Sequence, residues 1–209
     1  FLVEPSRGFT ERYDKSHLVP FGEYVPLRSL LGSLLRAVAS GIAGGDVTPG
    51  PGPRAFDLRV EGRNGSSRQL RVGVPICYEL LFPHLVRRFV DDGGGILFGI
   101  TNDAWYGRTG APFQFLAITA MRSAETGVYT LRAANTGVSA VIDSGGWVRQ
   151  QTPIFESAYL VADVPLRRVD PNDSSGKTFY VRHGDVFAFT CWVLLAATCS
   201  MAYRSKRRE

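Results

Sequence analysis

The sequence predicts an α/β domain over roughly residues 1–180, followed by one transmembrane helix. Between residues 70 and 126, runs with strand periodicity alternate with runs of helical spacing, the pattern of a sheet covered by helices. Beyond Gly127 the apolar runs shorten and are separated by glycine-containing turns, as in a meander of hairpins. From Val186 to Tyr203 the chain carries no charge at all, and nothing earlier in the sequence resembles that stretch.

Each element follows from its own residues. LRVGVPI, 70–76, places apolar side chains at 70, 72, 74 and 76, a strand with one well-buried face that ends at Cys77. ELLFPHLVRRFVDDGGG then has apolar residues at 80, 81, 82, 85, 86, 89 and 90, with Pro83 suited to a first helical turn and a glycine stop at 93. GILFGI, 95–100, is a continuous apolar run suited to a strand buried on both faces. TNDAWYG is loop chemistry, and a helix is expected over about 112–125. VYTLRAAN, VSAVID and WVRQQ, separated by NTG and SGG, are three strands, and YLVADVPL reads as one more.

The segment from Val25, VPLRSLLGSLLRAVASGIAG, has apolar residues at 27, 30, 31, 34, 35, 38 and 42. It is either an ordinary helix on the core or an arm lying in a membrane surface with Arg28 and Arg36 outward. The 18 uncharged residues from Val186 would make a helix of about 27 Å, close to the ~30 Å hydrocarbon core of a bilayer. A buried core helix is the other reading, but the run is apolar all round. The basic residues of RSKRRE follow at once, so a span over 185–203 would leave residues 204–209 as a cytoplasmic tail.

Composition narrows the chemistry. The net charge of +5 comes from basic residues scattered along the chain, apart from the C-terminal cluster, so no nucleic-acid partner is expected. Three cysteines, two of them in the apolar tail, exclude a disulfide framework, and the three histidines are dispersed; no metal and no cofactor are expected. The chain opens at Phe1 with neither the charged start nor the apolar middle of a signal peptide, and is expected to begin inside a larger protein.

Cys77 alone reads as a small core hydrophobe or as a nucleophile. Its place between a strand end and a helix start favours the second, because backbone N–H groups there can stabilise a thiolate or an oxyanion. No neighbouring histidine offers a protease arrangement. In KSHLVPFGEYVP, Lys15 and Glu23 lie eight residues apart across a Pro-Phe-Gly turn, so both can converge on one pocket from the two ends of a loop.

The combination of this loop with the Cys-Tyr-Glu triplet resembles the nitrilase, or carbon–nitrogen hydrolase, superfamily. Within it the chain is most similar to the bacterial apolipoprotein N-acyltransferases, through YDKSHLVPFGEYVP, ICYE, NDAWYG, MRSAETG, LRAANTGVSAVID and the apolar tail, in that order. The resemblance implies the C-terminal part of a nitrilase-like α-β-β-α sandwich with one C-terminal span. It implies Cys77 as the nucleophile, Lys15 as the catalytic lysine and Glu23 as its supporting glutamate, with Tyr78, Glu79 and Trp105 as candidates for substrate contact. Trp105, Tyr106, Arg132 and Asn135 would line or brace the pocket. The implied reaction is ping-pong: a phospholipid acyl donor loads Cys77 as a thioester, and the amine of a diacylglyceryl-lipoprotein accepts the acyl group. The setting implied is the bacterial inner membrane, multi-pass, with the catalytic domain facing the periplasm.

Two features depart from that pattern. Gln114-Phe115 stands where relatives often carry Gln-His, and the general-base glutamate of the family falls before residue 1, since Glu4 and Glu11 are too near Lys15. An amidase that delivers water to the same thioester, and a membrane-anchored binding module with an inactive site, are the rival readings.

Overall fold

The computed structural model describes residues 1–4, 8–27, 47–61 and 67–207. The segment expected to form a helix from Leu27 falls on residues 28–46, outside the described residues. A short antiparallel hairpin, β1 (Leu2–Glu4) and β2 (Gly8–Glu11), opens the chain. The main sheet has six strands in the order β3 (Ala55–Glu61), β4 (Ser67–Gly73), β5 (Ile96–Asn102), β6 (Tyr129–Asn135), β7 (Ala140–Ile142) and β8 (Val148–Gln151).

Only the β4–β5 and β5–β6 joins are parallel, and these are the two bridged by helices. The first crossover carries a 3-10 turn, Cys77–Leu81, and α1 (Pro83–Asp91); the second carries α2 (Ala111–Thr126). The remaining pairs are antiparallel, and β6–β7–β8 form the expected meander. Both helices cover one face of the sheet. Phe89 of α1 lies against Gly73, where a Cβ would come within 2.6 Å of the Phe89 Cβ, so only glycine permits this approach. On α2, Ser123 Oγ meets Thr130 Oγ1 of β6 at 2.6 Å. Leu80, Val86, Phe89, Leu97 and Val128 form the core between the layers. The fold is thus the mixed α/β class expected, with one sheet and one helix layer of the sandwich among the described residues.

Several boundaries move. β4 ends at Gly73 rather than residue 76, because Pro75 has no N–H for the ladder; Ile76 keeps only an isolated bridge to Ile100. The helix expected from Glu79 is split, since Phe82 adopts an extended conformation before Pro83 starts α1. β5 is not buried on both faces: Leu97 and Gly99 face the helices, whereas Ile100 is 44% exposed on the other side. Residues 159–166 run as irregular chain beside β8, where Gln150 Nε2 donates to the Val161 carbonyl, and form no strand. Strand β3, with Phe56 buried against the core, was not legible in AFDLRVE, whose charges at 57, 59 and 61 break no strand on an exposed face. A five-residue helix, α3 (Phe179–His183), leads into α4 (Val186–Lys206), which is exposed along its whole apolar length.

Candidate active site

Cys77 is the first residue of the 3-10 turn and has φ +50, a left-handed conformation that is strained for a side chain with a Cβ. Glu79 holds it there. The Glu79 N–H donates to the Ile76 carbonyl at 3.1 Å, and Glu79 Oε2 accepts from the Ile76 N–H at 2.8 Å, closing a reciprocal pair around the cysteine. The Phe82 N–H returns to the Glu79 carbonyl at 3.0 Å and closes the turn.

The other oxygen of Glu79 reaches a second segment. Oε1 accepts from the Tyr13 hydroxyl at 2.7 Å, the Ser16 N–H at 2.7 Å, the Ser16 hydroxyl at 2.8 Å and the His17 N–H at 3.2 Å. Burial, reinforced by Glu79, pushes the Tyr13 hydroxyl above its ordinary range, so it stays a donor. One fully buried carboxylate therefore ties the Tyr13–His17 loop to the Cys77 turn. The His17 ring adds packing, 4.0 Å from Phe82 and stacked at 5.8 Å on Tyr78.

That loop carries Lys15. Its Nζ lies 2.7 Å from each oxygen of Glu23, and its side chain is only 11% exposed. The Pro-Phe-Gly turn closes as expected: the Glu23 N–H donates to the Val19 carbonyl, Phe21 sits at φ 60, and Glu23 Oε2 takes the Val19 N–H at 2.8 Å. The Gly50 N–H donates to the Lys15 carbonyl, fixing the loop from its other side.

A fully buried ion pair joins the end of β5 to β6. Arg132 of β6 donates from Nη2 to Asp103 Oδ2 at 2.7 Å, and neither side chain has any exposure. Thr101 Oγ1 donates to Asp103 Oδ1, while Arg132 also reaches Thr119 Oγ1 and the Val138 carbonyl. All the strong donors are thus satisfied, as a buried pair requires. Gly137 makes room, since a Cβ there would come within 2.0 Å of Asp103 Oδ2. Asp103 opens the loop that displays Trp105, 84% exposed, and Tyr106. Burial, reinforced by the charges of Cys77 and Asp103, raises the Tyr106 hydroxyl above its ordinary range.

The structure accordingly brings Cys77, Lys15 and Glu23 onto adjoining segments. Tyr78 lies half-buried beside them. Glu79 faces inward, with both oxygens occupied by this chain's own donors, and Trp105 faces solvent. Phe115, at the Gln114-Phe115 departure, packs 4.6 Å under the Arg132 guanidinium and beside Tyr106. Sequence reasoning missed Asp103, whose signal was its place next to a strand end, and His17, two residues from Lys15. A groove of about 660 Å³, lined by Arg68, Arg71, Arg167 and Arg168 with Asp57 and Asp170, shares no residue with this site.

These features agree with sequence comparison. The carbon–nitrogen hydrolase family model matches residues 1–171. The apolipoprotein N-acyltransferase of Geobacter metallireducens is 42% identical over 206 residues, 99% of this chain and 36% of that protein. Those of Nitrosomonas europaea and Chlorobaculum tepidum are 36% and 34% identical over 95% and 99% of this chain. The chain spans a little over a third of the length of these relatives. A match over residues 1–171, with a cysteine on a braced turn and a lysine–glutamate loop pinned against it, makes this chain a member of the carbon–nitrogen hydrolase family.

Proposed function

We propose that this chain provides the nucleophile-bearing part of an apolipoprotein N-acyltransferase, moving an acyl chain from a phospholipid to the N-terminal amine of a diacylglyceryl-cysteine on a lipoprotein. What supports the reading is one juxtaposition: the Cys77 turn and Lys15–Glu23 loop share a chain with a helix whose first 18 residues, about 27 Å, are uncharged and have no burial in the domain. The relatives above are named apolipoprotein N-acyltransferases.

The chemistry runs in two halves. The Cys77 thiolate attacks the ester carbonyl, and the tetrahedral intermediate breaks its C–O bond; the lysophospholipid alkoxide leaves and takes up a proton. The α-amine of the lipoprotein then attacks the thioester, the C–S bond breaks, the amine loses a proton, and the thiolate is restored. Lys15 serves the oxyanion in both halves. An ammonium has three donors; two are spent on Glu23 Oε1 and Oε2, leaving one for the developing charge, and Glu23 keeps the ammonium from wandering.

The proton acceptor is assigned to no carboxylate placed above. Glu23 is committed to Lys15, Glu79 to the five donors around it, and Glu11 to Arg54 and the Asp57 N–H. Tyr78 and Trp105 are assigned to substrate contact, Trp105 by its exposed ring at the mouth. The basic flank of α4 lies at its C-terminal end, which supports the reading of a multi-pass inner-membrane protein whose domain faces the periplasm.

The test is to supply the full-length protein with phosphatidylethanolamine vesicles and a diacylglyceryl-cysteine peptide. Amide-linked acyl chain on the peptide is the expected product. Free fatty acid with no acylated peptide would favour the water-using amidase instead.

A further inference from the structure

The apolar helix α4 buries none of its length against the described domain, and the elbow that precedes it is its link to that domain. That elbow is strongly fastened to the catalytic domain. The Lys177 ammonium, with its side chain 6% exposed, donates to the Asp91 carbonyl, Asp91 Oδ1 and the Pro171 carbonyl at 2.7–2.9 Å. Thr178 caps α3 by accepting the Val181 N–H, and its hydroxyl donates to the Glu125 carbonyl at the end of α2. Arg87 of α1 donates to the Val181 carbonyl at 2.6 Å, satisfying an otherwise orphan group at the end of α3. Val181 itself is buried in the core cluster that contains Phe89 and Leu97.

The turn into α4 is equally defined. Gly184 has φ +62, and a Cβ there would lie 3.3 Å from Arg87 Cζ, so Arg87 packs directly under the bend. Its N–H returns to the Tyr180 carbonyl at 2.7 Å, and the Tyr180 hydroxyl reaches Asp185 on the far side. The helix that holds this elbow is the one that follows the nucleophile. Arg87 is four residues into α1, about 6 Å from its start, and the Cys77 turn lies immediately before that start. Arg122 of α2 closes the circuit by donating to the Leu81 carbonyl, the last residue of the Cys77 turn.

We propose that this elbow, through Arg87, Lys177 and Thr178, fixes the direction of α4 relative to Cys77 and thereby sets how an ester held in a bilayer meets the thiol. The three are positioning residues for a membrane-held substrate, and none touches the reacting atoms. The inference rests on the reading of Cys77 as an acyl acceptor and of α4 as a bilayer span.

The experiment uses the full-length protein in phosphatidylethanolamine vesicles and compares two acyl donors: the vesicle lipid and a water-soluble short-chain ester, p-nitrophenyl butyrate. Arg87→Ala and Thr178→Val should each slow Cys77 acylation by vesicle lipid about 10-fold or more. Acylation by the soluble ester, and alkylation of Cys77 by iodoacetamide, should stay within about 2-fold of the parent. Arg87→Lys, which restores a cation and a donor, should recover part of the lipid rate. Thr178→Val keeps the side-chain shape and so reports even if Arg87→Ala fails to fold. Parallel loss with both esters would reduce the elbow to a purely structural role and overturn the inference, as would no change with either. A parent protein acylated by neither ester would overturn the acyl-transfer reading itself, and this inference with it.

Discussion

Replacing Glu79 by glutamine separates a brace from a substrate contact. Glu79 is fully buried, and its carboxylate accepts five hydrogen bonds, four on Oε1 and one on Oε2. Glutamine fits best with its carbonyl toward the four donors, which turns its NH2 toward the Ile76 N–H. One charge-assisted hydrogen bond is then lost and two donors face each other, a cost of about 2–4 kcal/mol. For a protein of this size that is a fall in Tm of roughly 4–16 °C, measurable by circular dichroism in detergent. The bond lost is the one that holds Cys77 at φ +50, and the weakened one holds the loop of Lys15. Misplacement of either by about 1 Å costs on the order of 100-fold in rate. The loss should therefore fall on the first half-reaction: Cys77 should load slowly from phospholipid with no amine present, as read by intact mass against time. If Glu79→Gln loads at the parent rate and fails only when the peptide amine is added, Glu79 orders the acceptor and the bracing argument is wrong.

Lys15→Ala and Glu23→Gln should each slow loading of Cys77 by about 100-fold or more while Tm stays close to the parent, because the pair serves charge rather than the core. Asp103→Asn should destabilise by about 3–5 kcal/mol in denaturant titration, since it strands the buried Arg132 guanidinium; adding Arg132→Met to Asp103→Leu should recover most of that loss. Burial raises the Glu125 carboxyl, so the folded state binds its proton more tightly than the unfolded one. Its contribution is then complete below the unfolded value of about 4.3 and lost as pH rises through the higher folded value. Glu125→Gln, which keeps an acceptor for Arg122, should accordingly raise Tm at pH 8 relative to the parent and give no advantage at pH 4. A cytoplasmic reporter fused after Glu209 should be active and a periplasmic one silent; the reverse pattern would invert the topology drawn from the basic flank of α4.

The legible parts of this fold were those whose signal is local. Period-3.6 spacing and Pro83 marked α1, Gly127 ended α2 in a left-handed conformation, and the turns NTG and SGG separated β6, β7 and β8. Cys77 was legible because an apolar run stops there, although the strand proper ends four residues earlier. The Lys15–Glu23 pair was legible through a turn that folds back within eight residues. What the sequence hid depends on partners far along the chain. Glu79 reads as a polar residue beside a nucleophile, and only contact with Tyr13, Ser16 and His17, more than 60 residues away, makes it a brace. Asp103 and Arg132, 29 residues apart, become one unit only when β5 and β6 pair in parallel. Strand β3 hid because its outward charges mask a pairing supplied entirely by β4. YLVADVPL has strand composition, yet the ladder at β8 stops short of it.

Whether Cys77 accepts an acyl group from a membrane lipid is decided by intact-mass analysis of the full-length protein after incubation with phosphatidylethanolamine, without acceptor. The expected result is one added acyl mass on the protein, mapped to the Cys77 peptide, released by neutral hydroxylamine as a thioester must be, and absent from Cys77→Ala. An unmodified parent protein, or an adduct that survives in Cys77→Ala, would contradict it.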